Sequence, residues 1–110
     1  MPSDIRVTVP VAKVLAAFLT EPVEPRYGLD LMQVTGHPSG TLYPILKRLQ
    51  RAGWLSAEWE ALDAAAAGRP PRRYYLLTPH GVAAARREIA GLNRSLSPGT
   101  GLDVARPEPA

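Results

Sequence analysis

The sequence contains no cysteine and no long apolar run. Without cysteine the chain can form neither a disulfide nor a cysteine-based zinc site, and its composition suits a reducing compartment. No apolar stretch approaches the ~20 residues needed to cross a bilayer, and no signal-peptide core is present. We therefore expect a cytoplasmic protein with no membrane partner.

Residues that would support catalysis are also scarce. The acids in the middle of the chain are Asp30, Glu58, Glu60 and Asp63, and no Ser/His/Asp spacing accompanies them. The glycines mark helix ends and turns instead of forming a phosphate-binding loop. The two histidines, His37 and His80, make no recognisable metal site on their own. We expect no enzymatic activity, no cofactor and no metal.

Acidic residues are absent from two stretches that carry most of the positive charge. Neither the stretch between Asp30 and Glu58 nor that between Asp63 and Glu88 contains an acid. Their cations are Lys47, Arg48 and Arg51 in the first, and Arg69, Arg72, Arg73, Arg86 and Arg87 in the second. One such run is usually a solvated face. Two runs on elements that can lie side by side favour a polyanionic partner.

Three amphipathic helices are predicted in the first half. The first begins after Thr8, has an apolar stripe at Val11, Val14, Leu15, Phe18 and Leu19, and stops before the prolines of EPVEP. The second runs from Arg26 to Thr35, with Leu29, Met32 and Val34 as its apolar members and Gly36 as its stop. The third runs from Ser39 to Ala52, with Leu42, Ile45, Leu46 and Leu49 on one face.

After Gly53 the spacing of the apolar residues changes from that of a helix to the alternation of a strand. Residues 54–60 and 72–78 alternate like strands, and residues 61–71 between them are predicted as a loop, with a short helical turn in the alanine run as the alternative. The last helix begins at Pro79 with Thr78 as its cap. Its apolar residues form a narrow seam typical of helix pairing, at Val82, Ala85, Ile89, Leu92 and Leu96.

This order of elements predicts an α+β, mainly α fold. Three helices with a tight turn between the last two, followed by a β-hairpin, make a winged helix-turn-helix, here with a C-terminal dimerisation helix. We expect a flexible segment at 1–7, the DNA-binding domain at 8–78, the dimerisation helix at 79–97 and a disordered tail at 98–110. The third helix would enter the major groove of DNA.

Pro44 lies unusually early in the third helix. If Thr41 caps this helix, Pro44 is its third residue and forfeits no hydrogen bond. If Ser39 caps it, Pro44 removes one bond and should distort the helix. In either case the prediction is a stiff first turn at the end that faces the groove.

Three stretches resemble the PadR family of transcriptional repressors. They are GTLYPILKRLQRAGWL, which is followed by GRPPRRYYLLTPHG, and the earlier RYGLDLM at 26–32. The resemblance covers about residues 9–90. It implies a dimeric repressor that binds double-stranded DNA at a palindromic operator. The large C-terminal helical domain of longer relatives is missing, so the chain is similar to the short subgroup.

The resemblance also implies roles for individual residues. Those expected nearest DNA in the third helix are Ser39, Thr41, Tyr43 and Lys47, with Arg48 and Arg51 as supporting cations. In the wing, Arg69, Arg72 and Arg73 would lie near phosphates or the minor groove. The dimer interface would use Val11, Leu15 and Phe18 of the first helix and Val82, Ile89, Leu92 and Leu96 of the last. A small-molecule effector is possible, but the sequence names none.

Some alternatives stay open at this point. Tyr43 could be a core aromatic residue instead of a DNA contact, since it lies between core positions. Trp54 is expected in the core, and Trp59 could be exposed. The competing hypothesis for the whole chain is a winged-helix module that binds another protein and not DNA.

Overall fold

The computed structural model describes residues 5–96. Within this range the elements follow in the order α1 (Val9–Leu19), β1 (Arg26–Tyr27), α2 (Gly28–Thr35), α3 (Ser39–Arg51), β2 (Leu55–Trp59), α4 (Ala64–Ala67), β3 (Arg73–Leu77) and α5 (Pro79–Leu96). This is the predicted winged helix-turn-helix fold. None of the described helices has the length and apolar character needed to cross a bilayer.

The wing is part of a three-stranded antiparallel sheet. The strand order is β1-β3-β2, so the predicted hairpin of β2 and β3 is confirmed and a third strand is added. Residues 26–27 were expected to begin the second helix, and this was wrong. Arg26 instead donates to the carbonyl of Ala17 at 2.7 Å and to Asp30 at 2.6 Å, which fixes it between α1 and α2.

The alanine run between the wing strands is helical for one turn. Asp63 Oδ1 accepts hydrogen bonds from the N–H groups of Ala65 and Ala66 at 3.0 and 3.4 Å. This cap starts the turn, and Gly68 ends it in the left-handed conformation, at φ 74°. The loop prediction is therefore wrong for 64–67, and the helical alternative is right.

The core joins the helices to the inner face of the sheet. Its largest fully buried side chains are Phe18, Leu15, Leu31, Leu42, Leu46, Leu49, Val11 and Val14. Trp54 is buried as predicted. In α2 the predicted apolar residue Met32 packs against the core, but Leu29 and Val34 are 65% and 55% exposed, so the prediction was wrong for these two. The apolar side chain that α2 buries fully is that of Leu31.

The start of α5 is anchored to the end of α3. The hydroxyl of Thr78 accepts from the N–H of Gly81 at 2.9 Å and donates to the carbonyl of Gly53 at 2.7 Å. A β-carbon on Gly81 would collide with the backbone carbonyl of Trp54. The predicted cap is thus confirmed, and it also fixes where the wing returns to the helices.

The two termini were expected to be flexible. Ile5 and Val7, within the segment 1–7, are half-buried and pack against the core. Residues 1–4 and the tail expected at 98–110 lie outside the described part of the chain.

Candidate nucleic-acid interface

The outer face of α3 is the first part of the candidate interface. Leu42, Ile45, Leu46 and Leu49 face the core. On the opposite side, Gly40, Pro44, Lys47 and Arg51 recur at i, i+4, i+7 and i+11 and are all exposed. We call these four residues the outer stripe of α3. Its N-terminal half is small and uncharged, and its C-terminal half is cationic.

Neither Thr41 nor Ser39 caps α3. The N-cap is Pro38, so Ser39 is the first helical residue and Pro44 is the sixth. The Pro38 carbonyl accepts from the N–H groups of both Thr41 and Leu42, at 3.0 and 2.9 Å. Since proline has no N–H, the usual bond from residue 44 to the carbonyl of Gly40 cannot form. The Gly40 carbonyl, at the exposed start of the outer stripe, therefore lacks the i+4 helix bond that another residue at position 44 would donate.

The three polar residues predicted near DNA lie at different depths. Ser39 is exposed and Thr41 is half-buried. Tyr43 is 43% exposed, and its hydroxyl lies against Gly28, where a β-carbon would collide with it. The ring therefore covers the start of α2 with one side and leaves the other side open to solvent, so Tyr43 is not a core residue.

The three cations of α3 are exposed and unpaired. Among the residues that the structure describes, Lys47, Arg48 and Arg51 form no ion pair. Cations that stabilise a fold are usually paired with a carboxylate, and no described acid pairs with these three. They remain available to an external anion.

Glu60, at the wing, joins three segments. Its carboxylate accepts from Arg69 Nη1 at 2.8 Å and Nη2 at 3.3 Å, from the Arg72 N–H at 2.9 Å and from the Tyr27 hydroxyl at 3.0 Å. The bonds from Arg69, and next the one from Arg72, lower the pKa of Glu60 from 4.5 to about 2. The carboxylate in turn raises the pKa of Tyr27. We call Glu60, Tyr27, Arg69 and the backbone N–H of Arg72 the wing network.

The three wing arginines therefore differ in what they can do. The charge of Arg69 is matched by Glu60, and the ion pair fixes this side chain at the wing. Arg72 is exposed, and only its backbone takes part in the wing network. Arg73 is half-buried with its guanidinium over the ring of Trp59, 5.2 Å from the ring centroid. Trp59 itself is 61% exposed.

A cleft connects the wing to the start of α3. Its volume is about 240 Å³, and it is lined by Tyr27, Gly28, Leu29, Tyr43, Arg72, Arg73 and Tyr75. Burial raises the pKa of Tyr75, while the nearby charge of Arg73 opposes that rise. The structure thus brings Tyr43 of α3 and two of the wing arginines to one place.

The residues predicted for a dimer interface divide into two groups. Val11, Leu15 and Phe18 are at most 1% exposed within a single protomer, because they form its core. They have no surface left for a partner, so this part of the prediction is wrong. Val82, Ile89 and Leu92 of α5 are half-buried, and Val82 and Ile89 also pack against the core. The side chain of Leu96 lies outside the described residues.

Sequence reasoning missed Glu60, Tyr27 and Trp59 as parts of this interface. Glu60 contacts Tyr27 across 33 residues of sequence, and no local pattern reports that contact. Trp59 lies opposite Arg73 because of the register of the β2-β3 pair, and the long connection between these strands contains no tight turn from which the sequence could predict that register.

Comparisons with known proteins agree with this geometry. A PadR-like transcription factor from Bacteroides fragilis is 31% identical, with 74% of this chain and 81% of that one covered and a TM-score of 0.60. A PadR family transcriptional regulator from Eggerthella lenta is 27% identical, with 88% of each chain covered and a TM-score of 0.63. A PadR-like regulator from Bacillus cereus, 20% identical, shares the fold, with 89% and 94% covered and a TM-score of 0.65.

No curated protein matches the chain significantly. The sequence does match the transcriptional regulator PadR-like family over residues 15–87, a stretch that includes α2, α3 and the whole wing. That stretch contains the outer stripe of α3, the wing network and the cleft between them. The chain belongs to the PadR-like family of transcriptional regulators.

Proposed function

We propose that this protein is a sequence-specific DNA-binding regulator that acts as a dimeric repressor at a palindromic operator. The observation that carries the proposal is the outer stripe of α3 with its unpaired cations, next to the cleft that contains Arg72 and Arg73. An α-helix fits the major groove, and a neighbouring wing can contact the adjacent backbone. The two basic regions then bind phosphates on either side of the groove.

The roles of the residues follow from their positions along α3. Ser39 and Thr41, in the first turn, are the candidates for contact with base edges. Lys47, Arg48 and Arg51, farther along, are candidates for contact with phosphates. Arg72 and Arg73 would bind the backbone beside the wing. Arg69 would act mainly through its ion pair with Glu60, which fixes the wing.

Dimerisation is proposed through the C-terminal half of α5. Leu92 continues the seam of Val82 and Ile89 along this helix, and it is half-exposed within one protomer. Two such helices would place two copies of α3 about 34 Å apart, one turn of DNA, so that each half of an inverted repeat is bound by one protomer. A protein of this kind would act in the cytoplasm, and a small-molecule effector could modulate it.

Selection from a random duplex library tests the proposal. Immobilised full-length protein should enrich an inverted repeat with half-sites about one helical turn apart. Failure to enrich any sequence, together with no binding to bulk duplex DNA at low salt, would contradict the proposal and favour a protein-binding module.

A further inference from the structure

We infer that Trp59 is a positioning residue that directs the guanidinium of Arg73 toward a DNA phosphate beside the N-terminal half of α3. The inference rests on the proposed function and adds a residue to it. Trp59 itself is not required to touch DNA. Its role is to fix one arginine at the junction of the wing and the helix.

The register of the wing brings the two residues together. Trp59 pairs with Arg73 at the last position of the β2-β3 ladder, so the two side chains point to the same face of the sheet. The pairs before them on that face, Ala57 with Tyr75 and Leu55 with Leu77, lead into the core. The inner face of the hairpin therefore extends past the core and ends in an exposed tryptophan and an arginine.

Neither the core nor an ion pair explains the exposed indole. Trp59 is 61% exposed, although a large aromatic residue gains most from burial. Arg73 lies over its ring at 5.2 Å and forms no ion pair with any described acid. An indole face attracts a guanidinium and leaves its N–H groups free to bind a phosphate.

The position of Arg73 identifies the anion that it would bind. Arg73 and Tyr43 of α3 line the same cleft. An arginine at this junction lies beside the exposed turn of α3, where the backbone of a bound duplex would pass. Arg69 does not line this cleft, and its guanidinium already pairs with Glu60. A phosphodiester is therefore the expected partner of Arg73.

The test compares Trp59→Leu with Trp59→Phe, each with and without Arg73→Ala. Trp59→Leu removes the aromatic face and should weaken duplex binding by about threefold to tenfold. It should also flatten the slope of log K against log salt by ~0.9, the value for one lost phosphate. Trp59→Phe keeps an aromatic face and should retain most of the affinity. With Arg73 already replaced by alanine, Trp59→Leu should change nothing further.

Additive effects of Trp59→Leu and Arg73→Ala would overturn the inference, since Trp59 would then contact DNA by itself. A second readout needs no DNA. The side-chain NMR resonances of Arg73 should be shifted upfield by the indole ring current in the free protein and should lose that shift in Trp59→Leu. Absence of the shift in the wild type would also overturn the inference. A wild type with the ring-current shift but no DNA binding would instead contradict the proposed function, and the phosphate role of Arg73 with it.

Discussion

The hydroxyl of Tyr43 lies against the α-carbon of Gly28, in the space that a β-carbon on residue 28 would fill. This contact joins the start of α2 to the second turn of α3, and both residues line the cleft that contains Arg72 and Arg73. Tyr43, on the helix proposed to bind DNA, thus packs against Gly28 of the neighbouring helix α2. Residues 28 and 43 should therefore behave as a pair.

Gly28→Ala should destabilise the protein by about 1 kcal/mol, because the added methyl group displaces the Tyr43 ring. The cost should nearly vanish in a Tyr43→Leu background, where no hydroxyl opposes the methyl group. Urea denaturation of the four variants measures this coupling. If Gly28→Ala lowered stability equally in both backgrounds, the contact with Tyr43 would not be the reason why residue 28 must be glycine.

Gly40→Ala should raise stability and lower DNA affinity. A β-carbon at residue 40 meets no atom within 4 Å, so the fold itself does not require glycine there. Alanine favours a helix over glycine by about 0.5–1 kcal/mol, but its methyl group would project from the outer stripe into the groove. We expect a higher melting temperature with roughly threefold to tenfold weaker binding, the loss that about 1 kcal/mol of crowding produces.

Gly91→Ala is the matched control for this change. Its β-carbon would meet only Arg94, at an ordinary 3.7 Å, and it lies on α5, away from α3. It should stabilise the protein without changing affinity for DNA. If Gly40→Ala left affinity unchanged as well, the outer stripe would not be the surface that enters the groove.

Acid should weaken the wing network in a defined pH range. The pKa of Glu60 is about 2 in the folded protein, below its ordinary 4.5. Folding therefore favours the ionised carboxylate, so its contribution to stability is complete above 4.5 and is lost as the pH falls toward 2. Glu60→Gln cannot ionise at this position, so it should lower the melting temperature near neutral pH. Between pH 4.5 and about 2, the melting temperature of this variant should depend less on pH than that of the wild type. Parallel curves for the two proteins down to pH 2 would contradict the network.

Replacements in the wing and in α3 should have different effects on binding. Arg72→Ala with Arg73→Ala should weaken binding equally on all sequences and reduce the salt slope by ~1.8, as expected for two phosphates. Thr41→Ala should instead change the preference between related sites by about 1–3 kcal/mol. Competition titrations with single-base variants of the selected site separate the two effects. An equal loss on every sequence from the Thr41 change would remove this residue from base recognition.

Leu92→Glu should yield monomers, because it places a charge on the part of the α5 seam that the core leaves half-exposed. Ala90→Glu adds the same charge at an exposed position outside the seam and serves as the control. Sedimentation equilibrium reports the oligomeric state of both variants. An unchanged dimer in Leu92→Glu would place the interface elsewhere.

Much of the fold could be predicted because its signals are local. Apolar spacing and end signals such as Thr78, Pro79 and Gly36 are close to the helices that they define. Strand β1 could not be predicted in this way, since its two residues carry no period and depend on pairing with β3. The stripe of Val11, Leu15 and Phe18 correctly indicated a buried face, but a period does not distinguish burial in the core from burial against a second copy.

The charged residues of the candidate site could be predicted from the sequence, but the partners with which they pair or stack could not. The basic residues of α3 and the wing can be located in the sequence, because acids are missing around them. Which of them are free depends on distant contacts. Arg69 pairs with Glu60 because the hairpin returns there, and Arg73 lies on Trp59 because of the strand register. Among the described residues, these contacts leave Arg72 and Arg73 as the wing arginines that form no ion pair.

The most direct measurement is a fluorescence anisotropy titration of a labelled duplex with the full chain at salt concentrations from about 50 to about 200 mM. We predict that log K falls steeply and linearly with the logarithm of the salt concentration, since each bound phosphate releases counterions. Lys47→Ala with Arg51→Ala should flatten that slope by ~1.8. No binding at the lowest salt, or a slope that these two replacements leave unchanged, would contradict the claim that α3 binds DNA through its outer stripe.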